Sequence, residues 1–129
     1  MSKAYLLDTN IIIALFKREQ TVIKRLSGKQ LAFVPSIALG ELFYGAEKSK
    51  ERAENVSRIE TFAKASPILN CDIETARNYG RIHHQLRANG TPIPDNDIWI
   101  AAIAFQYQLI VVSRDKHFEH IKELELEKW

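Results

Sequence analysis

Four carboxylates in this chain occupy settings that acidic side chains do not usually choose. Asp8 follows the apolar run AYLL, and Glu41 lies between Gly40 and Gly45 in SIALGELFYGA. Asp97 opens the apolar segment in PIPDNDIWIAAIA, and Asp115 stands just past LIVVS. If these side chains converge, they form a cation site. Two like charges about 4 Å apart repel by roughly 4 kcal/mol at an effective dielectric of 20. Such a pocket persists at neutral pH only with a cation or shared protons. Oxygen donors without a cysteine set select Mg²⁺ or Mn²⁺ over zinc. The matching chemistry is phosphodiester hydrolysis, in which the ion activates water and stabilises the leaving oxygen.

Each carboxylate alone has a plainer reading. Asp is common after strands, so Asp8 or Asp115 by itself reads as a turn residue. Glu41 falls off the apolar face that Ala38, Leu39, Leu42, Phe43 and Ala46 define, and is either solvated or functional. A helical glycine costs about 1 kcal/mol relative to alanine. Two of them beside one carboxylate suggest close approach of another backbone or a ligand. Asp97 shares its helix face with Ala101 and Ala104, small residues expected to leave space above it. Asp95 or Asp97 is expected to cap that helix, with Asp97 favoured as the functional member.

The elements that must position these groups follow from the pattern. Short apolar runs at 4–7, 31–34, 67–69 and 109–113 read as strands, and ELELEKW adds a last one. Helical stretches are expected at 11–17, 19–27, 37–49 and 50–65. Ser36 is expected to cap the third of these, and a long helix from Asp72 should stop at Gly90. The segment 97–107, apolar on nearly every side, reads as a buried or interface helix. This alternation predicts an α/β fold with a mostly parallel sheet of four to five strands, covered by helices on both faces. In such sheets ligands sit beyond the carboxyl ends of the strands, which places Asp8 and Asp115 on one rim.

Composition narrows the class. The chain has 129 residues, 46% hydrophobic and 26% charged, and a formal charge of only +2, the balance of one soluble domain over 1–129. One cysteine, Cys71, excludes an internal disulfide and a thiolate zinc site, and is read as a small buried filler. No secretory leader and no membrane helix are read from the sequence, so a cytoplasmic location is expected.

The segments YLLDTNIIIALF, SIALGELFYGA, PIPDNDIWIAAIA and LIVVSRDKHF resemble, in order and spacing, the four acidic motifs of the PIN-domain ribonucleases. The short form is similar to the VapC toxins of prokaryotic toxin–antitoxin modules. The resemblance implies a three-layer PIN sandwich and Mg²⁺- or Mn²⁺-dependent endoribonuclease activity. It also implies a homodimer, and inhibition by a VapB-like antitoxin in a groove beside the active site. It assigns Asp8, Glu41, Asp97 and Asp115 as the catalytic acids and leaves Asp95 open as a ligand. Thr9, Asn10 and Ser113 become the supporting polar groups.

Lys17, Arg18, Arg81, Arg87, Arg114 and Lys116 are the candidate RNA phosphate contacts, with Arg114 and Lys116 foremost. His83, His84, His117 and His120 read as surface residues, because no third ligand at zinc spacing accompanies them. Trp99, Phe105 and Tyr107 read as core or interface. A receiver-type phospho-acceptor domain fits poorly, since the first strand is followed by one acid and the third by no acceptor until Asp72. The D-x-D-x-T of haloacid-dehalogenase-type phosphatases and a phosphate-cradling loop are both missing. A catalytically silent PIN fold has no support while all four acids are present.

Overall fold

The computed structural model describes residues 3–28 and 30–129; Met1, Ser2 and Lys29, including the first two residues read above for a leader, lie outside them. Strand β1 (Ala4–Leu7) is the centre of a five-stranded sheet. It pairs with β2 (Leu31–Pro35) on one side and β4 (Ile110–Val112) on the other. The outer strands are β3 (Ile68–Leu69) and β5 (Leu126–Glu127), giving the order β3-β2-β1-β4-β5. All four pairings are parallel. The chain steps outward from β1 to β3, then returns to the far side of β1 for β4, so the topological switch lies between β1 and β4.

Parallel strands need both faces covered, and alternation along β1 supplies both. Tyr5 and Leu7 join Ile11, Ile12, Val34, Ala38 and Leu42 in one core layer, under α1 (Thr9–Phe16), α2 (Gln20–Leu26), α3 (Ser36–Glu47) and α4 (Arg52–Lys64). Leu6 and Val111 point the opposite way, into a layer with Ile82, Ile98, Ile100 and Ile103. That layer lies under α5 (Ile73–Ala88) and α6 (Asp95–Tyr107). The two helices run antiparallel, since Thr75 bonds Gln106 while Tyr79 stacks on Trp99 at 4.0 Å.

The helix limits match the pattern to within a few residues, with instructive exceptions. Gly90 does stop the long helix, taking φ +69, which other residues adopt only under strain. Ser36, however, is the first residue of α3 and not its cap. Pro35 occupies the cap position, as Pro94 does for α6, and neither helix start has a side-chain cap bond. A fixed φ turns the chain from extended to helical in both places without that bond. Thus neither Asp95 nor Asp97 caps α6.

Leu6 is fully buried in the central strand. Leu6→Ala is expected to cost about 3 kcal/mol, read as a lower midpoint of chemical denaturation with an unchanged slope.

Candidate active site

The β1–β4 pairing sets Leu7 opposite Val112, and the Asp8 amide donates to the Val112 carbonyl at 3.0 Å. Asp8 and Ser113 are therefore the first residues past two neighbouring strand ends, at the switch point where open α/β sheets hold ligands. Ser113 Oγ donates to Asp8 Oδ2 at 2.7 Å. Asn10 Nδ2 lies 3.3 Å from both that oxygen and Ser113 Oγ, while Asn10 Oδ1 accepts from the Arg114 amide at 3.2 Å. The Thr9 amide donates to Asp8 Oδ1 at 2.9 Å, so Asp8 also caps α1. Its carboxylate is fixed from two sides.

The other acids reach the same rim from different elements. Glu41 projects from α3, and Thr9 Oγ1 donates to its Oε1 at 3.1 Å. Asp97 stands in the first turn of α6, where the free amides favour negative charge. Asp115 follows β4, caps the short 3₁₀ turn Lys116–His120, and donates its own amide to Ser113 Oγ at 3.0 Å. His117 closes the group. Its Nδ1 is 2.8 Å from Asp97 Oδ2 and 2.9 Å from Asp115 Oδ1. Ligand atoms of Asp97, Asp115 and His117 all lie within 4.8 Å of one another.

The electrostatics show one coupled cluster. Burial pushes the Asp8 carboxyl above its ordinary range, and the nearby Asp115 charge adds to this against the lowering bonds from Ser113 and Thr9. Burial raises Asp97, with the charges of Asp8 and Asp115 adding, although the His117 bond opposes them. Burial also raises Glu41, and the charges of Asp8 and Asp97 raise it further. His117 moves upward as well, chiefly through its bond to Asp97. Among the described residues, His117 is the one basic side chain in ion-pair contact with these acids. The rim thus holds more negative charge than the protein neutralises. Oxygen donors in that condition, with one imidazole nitrogen at the edge, fit a hard divalent cation.

The PIN domain family model matches residues 5–124. The chain belongs to the PIN-domain family. It is 39% identical to "Ribonuclease VapC2" of Haemophilus influenzae, with 97% of each chain covered. It is 33% identical, again over 97% of each, to the "tRNA(fMet)-specific endonuclease VapC" of Salmonella typhimurium. Among solved structures, VapBC2 of Rickettsia felis bound to a promoter DNA fragment contains a chain with TM-score 0.90, 30% identity and 98% coverage both ways. This PIN domain is thus of the VapC ribonuclease type, with the five-stranded parallel sheet expected of it.

Several readings of individual residues need correction. His117 is no simple surface histidine, since it bridges two acids of the PIN rim; its place two residues past Asp115, inside a turn, was the available signal. Asp95 is exposed and turned toward α5, where the Tyr79 hydroxyl donates to its Oδ1 at 3.0 Å. No atom comes within 4 Å of a Cβ placed at Gly40 or Gly45, so these glycines keep space open and admit no close backbone. Ala101 and Ala104 are buried in the core layer with Ile98 and Ile103.

Arg114 is already engaged. Its Nη2 pairs with Glu19 at 2.8 Å, and Nε donates to the Trp129 carbonyl at 2.9 Å, so it fastens the chain end and is not free for phosphate. Arg81 lies over the Phe105 ring near the far end of α6, two turns from Asp97. Lys17, Arg18, Arg87 and Lys116 are exposed, without ion-pair contact to the four acids. Cys71 is exposed too, so it fills no core space.

A carboxyl raised in the folded state favours folding when protonated, and that contribution is lost as pH climbs through the folded value. Glu41→Gln removes the charge and keeps the Thr9 bond. It should raise the melting temperature of the metal-free protein at pH 7–8 and leave it unchanged below the ordinary value of 4.5. Arg114→Ala should cost about 1 kcal/mol in urea denaturation while RNA cleavage stays within a few-fold of wild type.

Proposed function

We propose that this VapC-type PIN ribonuclease cleaves RNA internally with Mg²⁺ or Mn²⁺, as the toxin of a toxin–antitoxin pair in the cytoplasm. The observation that carries the reading is the burial and mutual crowding of Asp8, Glu41 and Asp97, all held above their ordinary pKa, with His117 the one basic side chain among the described residues in ion-pair contact with the cluster. In this reading Asp8 and Asp97 hold the ion, with Glu41, Asp115 and His117 completing the set. Asp95, committed to Tyr79, stays outside it. When bound, the cation lowers the pKa of water and offsets charge developing on the phosphate.

The chain's own residues fix the acids in advance. Ser113 and Asn10 hold one Asp8 oxygen, Thr9 orients both Asp8 and Glu41, and the rigid start of α6 sets Asp97. Such preorganisation means the carboxylates need little reordering when substrate arrives. The tRNA(fMet) specificity of the Salmonella relative makes tRNA the first substrate to test. No helix among the described residues is long and apolar enough to cross a membrane.

The partner in this reading is a VapB-like antitoxin, and relatives are solved as VapBC complexes. A groove of about 200 Å³ between α1, α3 and α4 suits its inhibitory segment. Ile13, Phe16, Leu42 and Ile59 give it apolar walls, and Glu41 at its edge can receive a basic side chain. A homodimer, with the whole of 1–129 acting as one PIN unit, completes the proposal.

Purified protein should cleave tRNA with Mg²⁺ or Mn²⁺ and stop when EDTA is added. Asp8→Asn and Asp97→Asn should each lower kcat by at least about 100-fold. Unchanged cleavage in both variants would mean that a contaminating nuclease does the work.

A further inference from the structure

We infer that Tyr44 is a stacking platform for one base of the RNA, beside the acidic rim, a reading that rests on the ribonuclease assignment above. Tyr44 lies one turn along α3 from Glu41, and side chains at that spacing are neighbours, with Cβ atoms about 5–6 Å apart. The ring is 67% exposed, more than any core requirement explains. Lys48 Nζ sits 4.7 Å from its centroid, holding a positive charge against one face. Between Tyr44 and the rim runs an open groove of about 570 Å³, lined by Thr9, Ile37, Gly40, Glu41, Tyr44 and Asn96.

These features suit a single-stranded nucleotide better than an apolar partner. Its base needs an aromatic face, which Tyr44 provides. Its backbone needs a cation near that face, which Lys48 provides in a region otherwise rich in acid. Its polar edges need donors and acceptors, and Asn96, between Asp95 and Asp97, carries both. Gly40 is the part that leaves the passage clear, since nothing in the chain would meet a Cβ there. The helix tolerates its low propensity in return for that opening. A nucleotide whose phosphate lies among the acids would set its neighbouring base on this ring.

The test uses steady-state cleavage of a single-stranded RNA oligonucleotide with Mn²⁺, together with melting temperature and size-exclusion elution of each variant. Tyr44→Ala should raise KM roughly 10-fold, within the range for loss of one base stack, with kcat, melting and elution as in wild type. Tyr44→Phe should restore the wild-type KM. Gly40→Val should also raise KM while the fold melts no lower than wild type. A Tyr44→Ala KM within twofold of wild type overturns the platform. So does a shift of that variant to a smaller species, which would make the ring a contact between two copies. Wild type that cleaves no RNA at all would instead overturn the ribonuclease reading beneath it.

Discussion

The β1–β4 pairing is the constraint from which the site follows. Backbone hydrogen bonding holds the ends of two strands side by side, and neither Asp8 nor Ser113 has freedom to retreat from the other. α6 then delivers Asp97, α3 delivers Glu41, and the turn after β4 delivers Asp115. Repulsion among these groups is unfavourable for folding, and the two core layers on either side of β1 must outweigh it. They can, because both faces of the sheet and the middle of α6 are removed from water. The fold therefore stores an unfavourable charge arrangement that a cation would relieve.

Hydrogen bonding decides how that charge is distributed. Asp8 is the deepest of the acids and has the most donors, from Ser113, Asn10 and the Thr9 amide. Asp97 is buried, with His117 as its one side-chain partner among the described residues. Glu41 is more open and has the Thr9 hydroxyl. Burial dominates in all three, which is why each carboxyl is raised despite its donors. Where donors are this few, the remaining oxygen lone pairs are free for a ligand.

Much of this was legible in the residues. Apolar runs of four or five placed the longer strands, and the acids just beyond them fell on the expected rim. What failed did so for identifiable reasons. Small residues announce only that they are small: Gly40 faces open space, whereas Ala101 is fully buried in the core. Arg114 looked free because its partners, Glu19 and Trp129, are distant in sequence or at the chain end. His117 lacked any periodic signature, being placed by a turn whose geometry depends on Asp115. Ser36 and Asp95 resembled helix caps by type, but prolines had already set the entry angle at both starts.

The burial of α6 has a genetic corollary. Asp97, Ile98 and the run Ile100–Ala104 are all hidden from solvent, so the segment that carries a key acid also knits one half of the interior together. Random loss-of-function alleles arising in this stretch would mostly yield misfolded polypeptide, cleared by proteolysis, with few stable but inert copies. A lineage that silenced the enzyme by mutation here would discard the molecule along with its activity.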